Sequence, residues 1–307
     1  MSAGGGIVLG ESGLFDPTAP LSPSGNLRRR MVVDWLVRLV ATAAALAAVA
    51  ILAIIIYDVV ARGASSLSVG FVTQSPQGLA GGGILNFLVG TLEVVAFGAV
   101  IALPLGILTG LFLTEFTGPR SRLGNLLKLA LDVMQGLPTI VVALFIYGLI
   151  VIPEKRESGF AASLALAIIM LPLMARASQE VLLLVPNSLR EAADALGVNR
   201  WRTVLTVILP SAVGGIATGG ILAIARAAGE TAPVLLLDSL YGQTNTTFDI
   251  FHGVPTVPML IYSSVDLPIP EAVARAWGAS LVLMAMILLA NISARVILTR
   301  TRAKMGT

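Results

Sequence analysis

The residues best suited to act on a ligand are Arg226 and Glu230, two opposite charges within an otherwise apolar stretch. They belong to the sequence Ala-Arg-Ala-Ala-Gly-Glu-Thr-Ala-Pro, which begins at Ala225 and includes Thr231. At about 1.5 Å per residue, a helix that starts at Ser211 places Arg226 roughly 22 Å along its axis, beyond the middle of a bilayer. Ionisable groups at that depth are costly, so the sequence predicts that they pair or line a water-filled path for an ion.

Two roles are open for these charges. As residues four apart on one helix, Arg226 and Glu230 can neutralise each other and only fix the helix against a neighbour. As pathway residues, the cation lowers the barrier for an anion and the carboxylate keeps binding weak enough for release. Glu230 would then accept a hydrogen bond from a protonated oxyanion, whereas ionised sulfate has no proton to offer and is repelled.

No other motif in the sequence indicates catalysis or a bound cofactor. The P-loop sequences Gly-Lys-Ser and Gly-Lys-Thr do not occur, so hydrolysis of ATP by that route belongs to another subunit. There is a single histidine, His252, and there are no cysteines, which excludes disulfides, thiolate metal sites and a His-Glu-x-x-His zinc site. Glu230 with Asp132 or Glu93 would give an intramembrane enzyme its carboxylate pair, but no motif supports that alternative. We expect a non-catalytic chain without a metal, in which His252 is solvated or locally hydrogen-bonded.

The composition is typical of an all-α integral membrane protein. Of the 307 residues, 56% are hydrophobic and 12% are charged, a balance unlike that of soluble domains. Apolar runs of roughly 20 residues, the length that crosses a bilayer as a helix, predict six transmembrane helices. They are Leu36–Tyr57, Leu88–Leu113, Leu126–Ile152, Phe160–Ala175 with a continuation, Ser211–Leu237 and Val273–Leu298.

The positions of Lys and Arg predict the orientation of these spans. The tail up to Arg38, the connections at 114–128 and 176–202, and the stretch 295–304 together hold 15 of the 20. The positive-inside rule places these segments, and both termini, in the cytoplasm. Cations spread along membrane flanks do not form a face for nucleic acid. Residues 1–30, rich in Gly, Ser and Pro, are predicted to be a disordered cytoplasmic tail before a membrane domain over 31–307.

The connection at about 186–210, called the EAA loop below, is predicted to bind another protein. Its distinguishing residues are Glu191, Ala192, Ala193, Gly197, Trp201, Leu209 and Pro210. The residues before Gly197 are strong helix formers, the glycine allows a helix stop with positive φ, and helical spacing resumes from Val198 until Pro210. We expect two short helices joined at the glycine, a compact projection that fits a cleft on a partner.

Several of these sequences resemble a known family of transporters. The EAA loop resembles that of the membrane subunits of binding-protein-dependent ABC importers. The string Arg-Ala-Ala-Gly-Glu-Thr-Ala-Pro at 226–233 is similar to that of the PstA-type permeases of bacterial phosphate ABC importers. The stretches Gly81-Gly82-Gly83-Ile84 and Gly136-Leu137-Pro138-Thr139 extend the likeness, which covers the chain from Met31 onward.

The resemblance implies a MetI-like transmembrane domain of six helices in the bacterial inner membrane. It also implies three partners: a PstC-like permease in a heterodimer, a PstB-like ATPase dimer that carries ATP and Mg²⁺, and a PstS-like phosphate-binding protein. This chain itself would hold no cofactor. By this resemblance, Arg226, Glu230 and Thr231 line the substrate pathway, and the EAA loop couples the permease to the ATPase.

Other transporter functions stay open from the residues alone. A related ABC importer for another oxyanion would share the EAA loop and differ in substrate. A secondary transporter or channel would use Arg226 and Glu230 with ion coupling. That alternative leaves the EAA loop unexplained, and no inverted repeat is evident in the sequence.

Overall fold

A computed structural model of the chain describes residues 27–78, 81–118, 120–239 and 249–305. The predicted tail lies outside these residues up to position 26, and its last four residues, 27–30, belong to the first helix. That helix, α1 (Leu27–Gly63), has 37 residues. The chain divides within it into two units, the first ending at Ile56 and the second beginning at Tyr57.

The second unit is almost entirely helical. After a 3₁₀ turn at Ala64–Ser66 and α2 (Val69–Thr73), β1 (Pro76–Gln77) and β2 (Gly81–Gly82) form a small antiparallel pair. The helices that follow are α3 (Leu85–Leu111), α4 (Arg122–Gly136), α5 (Thr139–Ile146), α6 (Ile152–Glu154), α7 (Gly159–Leu183), α8 (Asn187–Ala195), α9 (Arg200–Thr203), α10 (Leu209–Ala227), α11 (Ala232–Leu237), α12 (Val257–Val265) and α13 (Pro270–Met305). Three π-helical turns, Phe112–Phe116, Tyr147–Val151 and Val204–Ile208, continue α3, α5 and α9.

The described residues contain five single helices long and apolar enough to cross a membrane, and one bent pair that makes a sixth span if counted together. The single helices are Arg29–Ser66, Leu85–Phe116, Gly159–Leu183, Arg200–Ala227 and Pro270–Val296. In chain order they are the first, second, fourth, fifth and sixth spans. This arrangement agrees with the predicted all-α membrane fold, although the third span is bent and the fifth has different ends.

The predicted third span over Leu126–Ile152 corresponds to a bent pair of helices and not to one straight helix. The chain instead forms two helical pieces, Arg122–Gly136 and Thr139–Glu154, bent by 100°. Pro138 causes the break, because its ring disfavours helical backbone at the preceding residue and Leu137 is extended, with φ −72° and ψ 132°.

The predicted fifth span over Ser211–Leu237 is wrong at both ends. The helix begins earlier, at Arg200, and runs through a π-helical turn to Ala227, where it ends. The chain then breaks and restarts as α11. Pro210 does not stop the helix, because it lies in the first turn of α10, where the hydrogen-bond register changes after the π turn.

Glycines allow the second and fourth spans to pack backbone against backbone. A Cβ added at Gly106 would lie 2.6 Å from the Met174 Cβ, and one at Gly110 would lie 2.7 Å from the Ala175 carbonyl oxygen. Neither position has room for a side chain. The close approach gives these two helices extensive van der Waals contact, which is the main source of helix association within a bilayer.

Candidate functional site

The predicted pathway residues lie at a break in the fifth span. Helix α10 ends at Ala227, and the amides of Gly229 and Glu230 donate to the carbonyls of Arg226 and Ala227 at 3.1 Å in a tight turn. Helix α11 begins at Ala232. Arg226 is therefore in the last turn of α10, where the negative end of the helix dipole favours a cation.

The break separates the two charges that the sequence puts four residues apart. Arg226 is exposed on the surface of the chain and Glu230 is half-buried. The ion pairs within the described part of the chain do not include one between them. The alternative in which these residues neutralise each other on one helix face is therefore wrong, because the helix ends between them.

Two of the predicted pathway residues line different cavities. Glu230 lines a small, partly open space together with Thr91 and Thr256. Thr231 faces a different cavity of about 290 Å³, which Tyr262 and Asp266 also line. Arg226 borders neither of these two cavities. The exposed guanidinium of Arg226 and the half-buried carboxyl of Glu230 thus have different surroundings, although both lie at the same turn.

A further cavity of about 520 Å³ lies beside the segment that follows α11. Its lining includes Lys155, Arg156 and Glu157, together with Ser239 and His252. The His252 Nδ1 lies 2.7 Å from the Asp249 Oδ2, so the expectation of a locally hydrogen-bonded histidine is confirmed. The charged residues of this lining are two cations, Lys155 and Arg156, and one carboxylate, Glu157.

Asp238 organises this region, and the sequence reasoning missed it. It follows α11, lies in none of the candidate membrane spans and is buried. Its Oδ1 accepts hydrogen bonds from the amides of Ser239, at 2.8 Å, and Val254, at 2.6 Å. Burial raises the pKa of Asp238 to about 7, Glu157 adds to the rise, and the two amides oppose it. The only signal in the sequence is an acidic residue placed directly after an apolar helix.

The first half of the EAA loop has the predicted form. Helix α8 ends where Gly197 adopts a φ of +68°. The Val198 amide donates to the Ala193 carbonyl and the Gly197 amide to the Asp194 carbonyl, both at 3.0 Å. These two bonds are the Schellman arrangement, which requires a left-handed residue such as glycine. Ala193 is buried, whereas Glu191, like Ala192 beside it, is exposed and free to contact another protein.

The second half of the EAA loop differs from the prediction of a short helix that ends at Pro210. The Asn199 side chain accepts from the Trp201 amide at 3.1 Å and caps α9. From there the helix runs without interruption, through Leu209 and Pro210, into the fifth span. The second half of the EAA loop is therefore continuous with the helix that carries Arg226.

Two residues for which the sequence predicted no role, Arg190 and Glu115, connect the EAA loop to the second span. The Arg190 Nη2 lies 2.7 Å from the Oε1 of Glu115, which belongs to the last turn of the second span. Next to this pair, the ring of Trp201 lies 4.6 Å from that of Phe116, measured between centroids. The two residues are 75 positions apart, so no local pattern relates them. The one sequence signal for the pair is a carboxylate at the end of a long apolar run.

Comparison with known proteins identifies the class to which this fold and this loop belong. The sequence model of the family described as "Binding-protein-dependent transport system inner membrane component" matches residues 102–303. The matched residues include both the EAA loop and the break in the fifth span. The chain belongs to this family, and it is a multi-pass membrane protein.

Relatives within the family narrow the assignment. The chain is 40% identical over 259 residues to "Phosphate transport system permease protein PstA 1" of Mycobacterium tuberculosis (strain CDC 1551 / Oshkosh), covering 81% of this chain and 84% of the relative. It is 38% identical over 250 residues to "Phosphate transport system permease protein PstA" of Yersinia pestis, with the same coverage of both. The chain is thus of the PstA type.

Solved structures agree on the fold. An inward-facing structure of the MetNI methionine ABC transporter matches with a TM-score of 0.54 at 18% identity, over 71% of this chain and 94% of that one. A bacterial ABC transporter involved in the import of alginate matches with a TM-score of 0.58 at 15% identity, over 89% and 99%. At these identities the likeness concerns the fold alone, and the predicted MetI-like transmembrane domain is confirmed.

Proposed function

We propose that this chain is the permease subunit of an ATP-driven importer of inorganic phosphate. The choice of phosphate as the substrate rests on the 40% identity, over 81% of the chain, to a protein named as a phosphate transport system permease. The site is compatible with an anion, because Arg226 is an exposed cation at the end of a membrane helix. Without a P-loop of its own, the chain depends on another subunit for ATP hydrolysis.

The importer we propose has four kinds of component. A PstC-like permease pairs with this chain, and the pathway runs between the two. A PstB-like ATPase dimer binds ATP and Mg²⁺ on the cytoplasmic side, and a PstS-like protein brings phosphate to the outer side. The distribution of Lys and Arg supports an orientation in the bacterial inner membrane with both termini and the EAA loop in the cytoplasm.

In this proposal the fifth span links the ATPase to the anion. Closure of the ATPase dimer moves the cleft that holds the exposed Glu191 and Ala192. The continuous helix from Arg200 carries that movement to Arg226. The guanidinium then stabilises phosphate in one of the two states of the pathway, in an alternating-access cycle of rigid-body movements. Glu230 and Thr231 act on the same turn and set the selectivity for a protonated oxyanion.

Uptake of radiolabelled phosphate tests the proposal. A strain that lacks the gene is complemented with the wild-type chain or with Arg226→Ala, and uptake is measured with excess sulfate present. We expect loss in the deletion strain, rescue by the wild type, and indifference to sulfate. Inhibition of the rescued uptake by sulfate would indicate an importer for another oxyanion, and rescue by Arg226→Ala would remove Arg226 from the pathway.

A further inference from the structure

The Arg190 side chain connects the EAA loop to two membrane helices, and all of its N–H groups are hydrogen-bonded. This connection, made by Arg190 and Glu115, is called the joint below. The Arg190 Nε donates to both oxygens of Glu115, at 3.2 and 3.4 Å, and its Nη2 donates to Glu115 and to the Leu182 carbonyl, at 2.7 and 3.0 Å. Its Nη1 donates to the Val185 carbonyl at 2.7 Å and to the Asn187 Oδ1 at 3.2 Å. Every N–H of the guanidinium is used, which only Arg can achieve in this forked geometry.

The partners of Arg190 belong to different parts of the fold. Glu115 lies in the π-helical turn that ends the second span. Leu182 lies in the last turn of α7, the fourth span, and Val185 lies two residues beyond the end of that helix at Leu183. Arg190 itself immediately precedes Glu191 on α8. One side chain therefore joins the second span, the fourth span and the EAA loop.

The joint is buried and charged. The Glu115 side chain is 3% exposed and that of Arg190 is 21% exposed. Charges in such a position keep a fixed geometry, because loss of either partner leaves the other ionised and desolvated. A surface ion pair would not impose the same constraint, since water replaces the missing partner at little cost.

The second half of the EAA loop contacts the same turn of the second span. The Arg200 Nη2 lies 4.0 Å from the Glu115 Oε2, and the Trp201 ring packs on that of Phe116. Arg190 precedes the Gly197 turn and Arg200 follows it. The end of the second span is thus in contact with both helices of the loop.

We infer that Glu115 and Arg190 are positioning residues that transmit movement of the EAA loop to the second and fourth spans. The inference rests on the proposed function, in which an ATPase displaces this loop. Without the joint, displacement of the loop would pass along the chain into the fourth and fifth spans, and it would reach the second span only through the contact of Trp201 with Phe116. With it, three spans shift together, and the surface around Glu230, which Thr91 of the second span also lines, changes as a unit.

The test uses the complete importer in proteoliposomes, with Glu115→Gln as the variant that removes the charge and keeps the shape. We expect maximal phosphate uptake to fall about tenfold, the size of a typical coupling between two sites. The phosphate concentration for half-maximal uptake and the amount of ATPase bound should stay unchanged. Stimulation of ATP hydrolysis by phosphate-loaded binding protein should be lost. The matched control is Asp132→Asn, which removes the ion pair between Asp132 and Arg176, two residues outside the EAA loop, and should behave as wild type.

A second variant keeps the inference falsifiable if the first assembles poorly. This chain contains no cysteine, so in the double variant Glu115→Cys with Arg190→Cys the introduced pair is the one pair within this chain that a short bifunctional thiol reagent can bridge. Bridging should restore stimulated ATP hydrolysis and uptake to the double variant, and the same reagent should restore neither in the single variants.

Two results would overturn the inference: full coupling in Glu115→Gln, or a bridged double variant that binds the ATPase normally and stays uncoupled. Failure of the proposed substrate looks different. In that case the wild-type importer takes up no phosphate, although its ATPase remains bound to this chain and active.

Discussion

The two ends of the fifth span are built differently, and we propose that one end transmits movement while the other recognises the anion. At the EAA loop the helix is continuous, running from Arg200 through a π turn into the membrane. At the other end it stops at Ala227, and four residues pass before helix resumes at Ala232. A continuous helix carries a displacement, whereas a break leaves backbone and side chains available to a ligand.

Two arginines, Arg190 in the EAA loop and Arg226 at the break, also differ in their surroundings. Arg190 donates through all of its N–H groups and is largely buried. Arg226 is exposed and takes part in none of the ion pairs found among residues 27–78, 81–118, 120–239 and 249–305. A satisfied guanidinium fixes structure, while an accessible one keeps its donors for an anion. We therefore propose that Arg190 acts in coupling and that Arg226 contacts the substrate.

Removal of the accessible cation should have the largest effect. In the proposed pathway Arg226 is the cation that stabilises the anion, so we expect phosphate uptake in Arg226→Ala to fall about 100-fold. Arg226→Lys should retain part of the activity, because the charge remains and the forked donors are lost. The control is Arg295→Ala, an exposed arginine on α13. Uptake of radiolabelled phosphate is the measurement, and an active Arg226→Ala variant would contradict the assignment.

A change in the turn of the EAA loop should have the next largest effect. Gly197 has a φ of +68°, where a side chain costs about 1–2 kcal/mol and favours a different turn. In Gly197→Leu we expect uptake to fall about tenfold, because α8 no longer keeps its angle to α9. Gly78→Leu is the matched control, since Gly78 has a φ of +65° and equally open surroundings outside the loop. Equal losses in the two variants would attribute the effect to backbone strain alone.

Asp238 should make the stability of the wild-type chain depend on pH. Its pKa is about 7 in the folded protein, above the ordinary value near 3.8. The protonated form therefore adds stability that is complete below pH 3.8 and is lost as the pH rises through about 7. Thermal unfolding in detergent should show a lower Tm at pH 8 than at pH 6. The difference should disappear in Asp238→Asn and persist in Asp249→Asn, where the replaced residue is exposed. An unchanged pH dependence in Asp238→Asn would be inconsistent with a buried titrating carboxyl.

The smallest effect is expected at Glu230, which tunes selectivity. Glu230→Gln retains a hydrogen-bond acceptor and removes the charge that repels ionised sulfate. We expect phosphate uptake within about threefold of wild type, with sulfate becoming a competitor. Thr73→Val is a control, because Thr73 is an exposed threonine whose hydroxyl bonds only its own helix. Sulfate exclusion that survives the change would remove this role from Glu230.

The parts of the structure that depend on local chemistry could be predicted from the sequence. Gly197 marks the helix stop in the EAA loop because few other residues adopt positive φ, and the apolar runs mark the spans. The break after Ala227 escapes prediction because Ala-Ala-Gly-Glu is compatible with helix and the hydrophobic run continues through Leu237. The one sequence feature that indicates the break is Pro233, because proline is favoured in the first turn of a new helix.

The contacts that join distant segments could not be predicted. Nothing local distinguishes Arg190 from the other arginines of its loop, and its partner Glu115 comes from another span. The π turns are equally hidden, since they depend on packing between helices rather than on a residue preference. Pro138 is visible as a possible bend, but only the surrounding helices decide that the third span turns by 100° there.

The central claim is that one end of the fifth span acts in coupling to the ATPase and the other in binding the anion. One experiment tests this claim directly. ATP hydrolysis and phosphate uptake are measured together in proteoliposomes that contain the complete importer with either Arg226→Ala or Gly197→Leu. We predict that Arg226→Ala abolishes uptake while loaded binding protein still stimulates ATP hydrolysis, and that Gly197→Leu loses the stimulation itself. If Arg226→Ala lost the stimulation, or if Gly197→Leu kept it, the two ends would not be separate in function and the account would be wrong.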